Sequence, residues 1–282
     1  MKKKISTWKM FINSRLGRIG FAIMIIFILM ALFAPIIAPF NPYERVAESF
    51  LKPSSVHLLG TNDIGQDIFS EIIYGTRISL LIGLLSAIVA IIIGSTIGIV
   101  SGYFGGKVDI LLMRVVDLTL VLPMLPLMIL LAAFLGPSFW NIIMVIGVLS
   151  WARPARVIRA QVLTTKTKGY IESVKVAGGG HVYTMIKHIL PPTMSIIISQ
   201  FILVASHSIL VEASLSFLGM GDPTKKSWGI ILYYAQARGA FLNEAWIWWI
   251  LPPGLLITFL VISFAYTGNS LEEIVNPRLR RS

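Results

Sequence analysis

The sequence contains no cysteine and few charged residues. Without cysteine, disulfides, zinc–thiolate sites and thiol catalysis are excluded. Charged residues make up 13% of the 282 residues and hydrophobic residues make up 56%, whereas a soluble domain carries about 25% charged residues. Such a deficit is typical of a chain whose natural solvent is lipid. The composition therefore predicts an integral membrane protein.

Motifs that bind nucleotides or carry hydrolytic chemistry are absent as well. The sequence has no G-x-x-x-x-G-K-[ST] loop, no H-E-x-x-H pair and no G-x-S-x-G elbow. Its histidines and carboxylates form no cluster in sequence that would predict a bare metal site. We therefore expect no catalytic residue, no metal and no cofactor bound by this chain. An intramembrane enzyme would need a catalytic pair at one membrane depth, and none is visible.

Positive charge is what the sequence has in excess, with a net charge of +11. A basic surface binds nucleic acid when it forms a continuous face. Here the basic residues lie in short segments between apolar runs, where they set the orientation of membrane helices. We therefore expect a lipid membrane around this chain, and no nucleic acid.

Six apolar stretches are long enough, or nearly so, to cross a bilayer, which takes about 20 residues. In hydrocarbon every backbone N–H and C=O must be satisfied within the element, so each stretch is predicted to be a helix. The fourth is the weakest, because it is short enough to be a re-entrant segment. We interpret the first as a retained span rather than a signal peptide. The predicted spans are Phe21–Phe40, Ile78–Tyr103, Ile110–Leu135, Phe139–Ala152, Ile189–Val211 and Ala245–Asn269.

The distribution of Lys and Arg predicts the orientation of these spans. With both termini in the cytoplasm, 18 basic residues lie inside and six lie outside, as the positive-inside rule requires. The basic residues counted inside at the two ends are Lys2, Lys3, Lys4, Lys9, Arg15, Arg18, Arg278, Arg280 and Arg281. The predicted organisation is a cytoplasmic segment 1–20, a first span 21–40, an external loop 41–77, a five-helix core 78–269 containing the basic loop 153–190, and a cytoplasmic tail 270–282.

Glycines and prolines within the spans predict close helix packing and helix bends. Gly94, Gly98 and Gly102 recur every four residues and line one helix face, which lets another helix approach closely. That helix could belong to the same chain or to a second subunit. Prolines predict bends in the third, fifth and sixth spans, at Pro123 and Pro126, at Pro191–Pro192, and at Pro252–Pro253.

The basic loop contains a segment that is predicted to form two short helices. Before the glycines Gly178 to Gly180, apolar residues recur at helical spacing, and after them a second apolar stripe follows. Glycine permits positive φ and therefore a sharp reversal between the two helices. We call residues 170–190 the coupling segment. From the residues alone, a partner that grips this segment and an interfacial connector without a partner are equally good interpretations.

This segment resembles the signature loop of the permeases of binding-protein-dependent ABC importers. That loop has Glu-Ala-Ala, three residues, Gly, about nine residues and Ile-x-Leu-Pro. Glu172, Gly178 and Pro191 match it in type and spacing, whereas Ser173 and Val174 replace the two alanines. The replaced alanines imply slightly different packing in the cleft of the ATPase.

Other motifs narrow the resemblance to the second permease subunit of the dipeptide, oligopeptide and nickel importers. They extend from about Arg18 to Leu279, which is nearly the whole chain. The motifs are His57-Leu-Leu-Gly-Thr-Asn-Asp-Ile-Gly-Gln-Asp67, Tyr74-Gly-Thr-Arg-Ile-Ser79, Ala213-Ser-Leu-Ser-Phe-Leu-Gly219, Ser227-Trp-Gly229 and Asn276-Pro-Arg-Leu279.

The resemblance implies an all-α permease of the type I importer architecture, in the cytoplasmic membrane of a prokaryote. It implies a second permease subunit, two ATPase subunits that use ATP and Mg, and an external solute-binding protein as partners. Di- or oligopeptides are the expected cargo, with a nickel or metal chelate and an oligosaccharide as alternatives. The residues expected to contribute to ATPase coupling are Glu172, Ala177, Gly178, Gly179, His181, Ile189 and Pro191.

Three ionisable residues fall within or beside the predicted spans, where burial in lipid is costly. Asp117 lies three residues after Arg114, and we expect a structural ion pair between them. Glu212 could line the pathway and meet a cationic cargo, or it could have a hydrogen-bonded packing role. His207 is expected to be a satisfied interior histidine.

A stand-alone channel or ion-coupled carrier is the competing class. It predicts two internal repeats with paired broken helices or paired ionisable residues, and the sequence shows no such repeat. Dependence of the activity on ATP and on a separate binding protein would favour the importer over both the carrier and an intramembrane enzyme.

Overall fold

The computed structural model describes residues 14–275, and within that range every regular element is helical. The predicted all-α membrane class is thus confirmed. Of the basic residues predicted to orient the two ends, Lys2 to Lys9 and Arg278 to Arg281 lie outside the described residues. So does the motif Asn276 to Leu279.

The helices follow one another along the chain with few long connections. In order they are α1 (Arg15–Leu32), α2 (Ala34–Ile37), α3 (Ile68–Phe104), α4 (Gly106–Val121), α5 (Met124–Leu135), α6 (Phe139–Leu149), α7 (Ala152–Lys166), α8 (Gly169–Val176), α9 (His181–Thr184), α10 (Leu190–Leu215), α11 (Trp228–Ala237), α12 (Trp246–Trp249) and α13 (Leu251–Val275), with π-helical turns at Met185–Ile189 and Ser216–Met220.

Within the described residues, four helical segments are long and apolar enough to cross a membrane. Two further pairs of helices would each make one broken span. α4 and α5 meet at 85°, and α6 and α7 meet at 43°. Counting each pair once gives up to six spans, the predicted number.

The first break follows from proline chemistry. Pro123 is the N-cap of α5 and Leu122 before it is extended, because a proline disfavours the helical conformation in the residue that precedes it.

The helices of the first two predicted spans begin earlier in the chain than predicted. The first predicted span began at Phe21, whereas α1 begins at Arg15, where the side chain of Ser14 accepts the N–H of Gly17. α3 begins at Ile68 rather than at Ile78, because Asp67 caps it by accepting the N–H of Ser70 (2.8 Å). α3 therefore has 37 residues and is about 55 Å long at 1.5 Å per residue.

α3 is the central helix of the bundle. It packs along α7, α10 and α6, while α10 packs on α13 and α13 on α1. Trp228 at the start of α11 is fully buried against it, and its indole N–H donates to the carbonyl of Ile72 (3.0 Å). Following the predicted orientation, we call the face with residues 41–67 and 221–227 the outer face, and the face with the coupling segment the inner face.

Candidate coupling segment and polar sites

The coupling segment forms two short helices around a glycine turn. α8 ends at Val176, and Gly178 then adopts a φ of +84°, a conformation that glycine adopts without steric cost. The N–H of Gly179 donates to the carbonyl of Val174 (2.9 Å) and closes the end of α8. α9 begins at His181. The predicted helix–turn–helix is present.

Much of the apolar surface of the coupling segment faces outward. Val176 is 90% exposed, and its apolar neighbours on the same surface are more than half exposed. An exposed apolar surface of this kind is typical of a site that a partner protein covers. Its exposed apolar residues are Val176, Val182, Tyr183 and Ile186.

The other side of the segment is anchored to the bundle. Ile171 and Ile189 are fully buried in the main core. A hydrogen bond of 3.1 Å joins His181 Nδ1 to the hydroxyl of Tyr103, and the ring of Phe104 lies 5.4 Å from the His181 ring. The segment is thus attached directly to the end of α3.

The residues expected to contribute to ATPase coupling occupy different environments. Glu172, Ala177 and Gly178 are exposed, and so are His181 and Pro191. Gly179 is partly covered, because Val174 lies against it. Ile189, in contrast, is fully buried. It therefore holds the segment on the core rather than facing a partner.

The glycine face of α3 is packed against α7 of the same chain. A Cβ on Gly94 would lie 2.8 Å from the carbonyl oxygen of Trp151, and one on Gly98 would lie 2.6 Å from that of Ala155. One on Gly102 would lie 2.8 Å from Val162. This close approach requires glycine. The face is therefore occupied within the chain and is not open to a second subunit.

Replacing Gly98 by alanine should destabilise the protein by about 1–3 kcal/mol, because the backbone of α7 would have to move to admit the methyl group. Thermal unfolding in detergent should show a lower melting temperature. Gly254→Ala is the matched control, since no atom lies within 4 Å of a Cβ at that position. Equal melting temperatures for the two variants would contradict the prediction.

Ion pairs join α7 to α4. Arg159 binds Asp109 with two hydrogen bonds of 2.5 Å, and the hydroxyl of Ser101 donates to the same carboxylate. Asp117 pairs with Arg156. The predicted partner, Arg114, was therefore wrong, because the neighbouring helix presents a guanidinium closer to Asp117 than its own helix does. Both side chains of the Asp117 pair are about half exposed, so the pair contributes little to stability.

A further ion pair, which the sequence did not indicate, lies on the outer face. Lys226 binds Glu71 in the first turn of α3, and their side chains are 14% and 4% exposed. Asn62 Nδ2 donates to the same Glu71 oxygen (2.9 Å), and Gln66 also accepts from Lys226. Glu71 and Lys226 are 155 positions apart in the sequence, so no local pattern could have predicted that they pair.

The Glu71–Lys226 pair lies at the wall of a cleft of about 310 Å³ on the outer face. At its rim, Arg238 pairs with Asp63 at 3.1 Å. The contacts of Lys226 with Gln66 and of Arg238 with Asp63 hold residues 41–67 against residues 222–238, although the two segments are far apart in sequence. The cleft is also lined by Tyr43, Tyr234 and Trp249.

Asp222 caps α6 from the same outer segment. The N–H of Phe139 donates to its carboxylate (3.1 Å). Burial alone would raise the pKa of Asp222, but hydrogen bonds from the side chain and backbone of Thr224 and from the Phe139 backbone, with Lys225 nearby, hold that pKa below its ordinary value. Asp222 is therefore ionised at neutral pH, as suits a helix N-terminus.

Glu212 and His207 lie on opposite sides of α10. Glu212 is fully buried and accepts a hydrogen bond from the hydroxyl of Ser216 (2.8 Å), so it faces the interior of this chain and not an open pathway. Its second oxygen has no hydrogen-bond partner among the described residues. His207, expected in the interior, is instead exposed on the surface of the helix.

Within residues 14–275, no three histidine or acidic side chains come together in a group that could hold a metal ion.

Comparison with known proteins gives matches over nearly the whole chain. Residues 94–281 match the family described as binding-protein-dependent transport system inner membrane component. Residues 5–53 match the N-terminal TM domain of oligopeptide transport permease C. The first match includes the coupling segment and the second includes α1.

Individual relatives are similar from end to end. A dipeptide transport system permease protein of Haemophilus influenzae is 37% identical, covering 97% of this chain and 94% of the relative. A di/tripeptide transport system permease protein of Pseudomonas aeruginosa is 34% identical, with 98% and 92% covered. A glutathione transport system permease protein of Pectobacterium atrosepticum is 32% identical, with 97% and 90% covered.

Proposed function

Because this chain belongs to the family of binding-protein-dependent transport system inner membrane components, we propose that it is a permease subunit of an ATP-driven importer of di- or oligopeptides. The chain itself is not an enzyme, and ATP is hydrolysed by separate subunits. The observation that carries the proposal is the coupling segment, whose exposed apolar surface is joined to the central helix through His181 and Tyr103.

The proposed partners follow from this architecture. One ATPase subunit would bind residues 170–190, with Glu172 as a polar anchor, and Mg and ATP would be bound by the ATPases alone. A second permease subunit would complete the pathway, and an external binding protein would deliver cargo to the outer face. Both termini would lie in the cytoplasm.

Peptide is the proposed cargo because it appears in the names of similar proteins, including one for the tripeptide glutathione. ATP binding would close the ATPase pair and move the coupling segment. α9 would transmit this movement to α3 through the contact of His181 with Tyr103 and Phe104.

The proposal is tested by isolating the tagged protein gently from native membranes and identifying what co-purifies by mass spectrometry. We expect two ATPases and a sister permease. The complex, reconstituted in liposomes with its binding protein, should take up peptide only with ATP. Isolation of the chain alone, from a preparation shown to preserve other membrane complexes, would favour a stand-alone carrier. ATP-dependent uptake of a nickel chelate or an oligosaccharide, without peptide uptake, would reassign the cargo.

A further inference from the structure

The break between α4 and α5 leaves backbone carbonyl groups without hydrogen bonds. Leu122 is extended, and Pro123 after it has no N–H to donate. The N–H of Leu122 donates to the carbonyl of Thr119 (3.3 Å). Beyond that bond, no described residue donates a hydrogen bond to the carbonyls of Leu120, Val121 and Leu122. We call these three groups the break carbonyls. Groups of this kind at a helix end are satisfied by water, a side chain or a ligand.

The packing of the two helices places the break in the interior of the membrane. Val116, before the break, packs in one cluster with Ile97 of α3. Met128, after the break, packs in another cluster with Ile82 of α3. These two levels of α3 are about 22 Å apart at 1.5 Å per residue, and α3 continues beyond both of them toward the two faces. Since the hydrocarbon core is about 30 Å thick, a break between these levels lies within it.

The surface of this chain is open at the break. Val121 is 83% exposed and Leu122 is 48% exposed, and Pro123 is exposed as well. Lipid is excluded as their neighbour, because hydrocarbon has no hydrogen bond to offer to a carbonyl group. Non-helical backbone at this depth occurs only where protein buries it or where it lines a water-filled cavity.

A second permease packed on the break would satisfy the break carbonyls poorly. The backbone N–H groups of a helix are already bonded to carbonyls of the same helix, so only its side chains could donate. Three consecutive acceptors would then need several polar side chains at one point of the contact. Water in a cavity meets the same need without any such arrangement, because it donates wherever an acceptor is open to it.

We propose that the break between α4 and α5 lines the translocation pathway and that the break carbonyls accept hydrogen bonds from the N–H groups of a peptide in transit. This inference rests on the proposed function. The backbone N–H groups of Met124 and Leu125 also donate to no described residue outside α5, so they can bind the carbonyls of the same peptide. Every peptide carries these backbone groups, so such contacts suit peptides of many sequences. Discontinuous helices form the substrate sites of many other transporters.

The first test uses the absence of cysteine from this chain, which means that a label on Val121→Cys reports one position of this subunit. The whole complex in liposomes is treated with a charged maleimide and with a membrane-soluble maleimide. We expect both to react, and we expect the binding protein with peptide and ATP to slow the charged reagent. Reaction with the membrane-soluble reagent alone would place the break in lipid. Reaction with neither would place it against the second permease, and both results would overturn the inference.

The second test asks whether the pathway binds the N–H groups of the cargo. A peptide and its analogue with N-methylated amides are matched beforehand for binding to the binding protein. The wild-type complex should take up the unmodified peptide about threefold to tenfold faster, the effect expected from one hydrogen bond. Equal uptake of the two peptides would overturn the proposed contact.

Removing the prolines should remove the site. Pro123→Ala combined with Pro126→Ala restores two N–H groups and lets the helix continue, so the break carbonyls become bonded within the chain. This double variant should lose about tenfold or more of the uptake of the unmodified peptide and should no longer distinguish the two peptides. Its melting temperature should not fall, because helical hydrogen bonds are gained.

Pro252→Ala is the matched control, because Pro252 lies in the first turn of α13, where a proline costs no helical hydrogen bond. It should keep uptake within about twofold of the wild type. A lower melting temperature of the double variant, together with labelling of Val121→Cys that peptide does not slow, would show that the break is only structural. Uptake by the wild-type complex is measured first. No uptake of any peptide would overturn the proposed function, whereas an unreactive Val121→Cys in a complex that takes up peptide would overturn this inference alone.

Discussion

Replacing Gly178 by aspartate should reduce transport by about fivefold to thirtyfold while leaving the amount of protein in the membrane unchanged. Gly178 has a φ of +84°, and no atom lies within 4 Å of a Cβ at this position. The effect therefore comes from the backbone and not from a clash. A residue with a side chain costs about 1–2 kcal/mol in this conformation, so the turn between α8 and α9 would shift. The new charge would also lie on the surface proposed to enter the ATPase.

The measurement is ATP-dependent uptake in liposomes, normalised to the amount of permease. Gly180→Asp is the matched control, because Gly180 has an ordinary φ of −62°, is the N-cap of α9 and also has no atom within 4 Å of a Cβ. Aspartate is a favourable N-cap residue, so this variant should transport nearly as well as the wild type. Normal uptake by Gly178→Asp would contradict the proposed role of the turn at Gly178 in coupling transport to the ATPase. Equal loss in both variants would assign the effect to charge alone.

Replacing Lys226 by methionine should destabilise the protein by about 3–5 kcal/mol, the cost of leaving one partner of a buried ion pair without the other. Glu71 is 4% exposed on its side chain and would keep only Asn62 as a hydrogen-bond donor among its present partners. The outer loop would then separate from residues 222–238 at a lower temperature. Thermal unfolding of the purified protein in detergent measures this loss.

Lys225→Met is the control for this variant, because Lys225 is exposed and should be replaceable with little change in melting temperature. The double variant Glu71→Gln with Lys226→Met removes both charges and should recover part of the lost stability. A double variant less stable than Lys226→Met would show that Glu71 is stabilised mainly by groups other than Lys226.

Much of the fold could be predicted because lipid imposes a simple rule on the backbone. A long apolar run must be a helix, and Pro123 and Pro126 predicted a bend in the third span, where the larger of the two breaks lies. The first ten residues of α3 were missed, since Glu71 and Arg77 interrupt the apolar run. Protein, and not lipid, covers Glu71. The N-cap Asp67 followed by an acid in the first turn was a helix-start signal that could have extended the prediction.

The sites were predicted less completely than the helices. The spacing of residues along one helix predicted that Asp117 pairs with Arg114. That spacing contains no information about which residue of α7 lies next to Asp117, and the structure shows that this residue is Arg156. For the same reason, the sequence did not predict the ion pairs Asp109–Arg159 and Glu71–Lys226. The coupling segment was predictable in form because its glycines and apolar stripes are local in sequence.

The unbroken length of α3 has a mechanical consequence. Its first turn holds Glu71 at the outer cleft, and its last turns hold Tyr103 beside His181 on the inner face. A rod of about 55 Å that tilts by about 5° around its midpoint displaces each end by about 2.4 Å in opposite directions. A force on α9 that tilted α3 would therefore change the position of Glu71 relative to Lys226. No residue of α3 between its two ends would need to change conformation. A displacement of that size exceeds what a hydrogen bond tolerates, so a moderate tilt of α3 relative to residues 222–238 would separate Glu71 from Lys226.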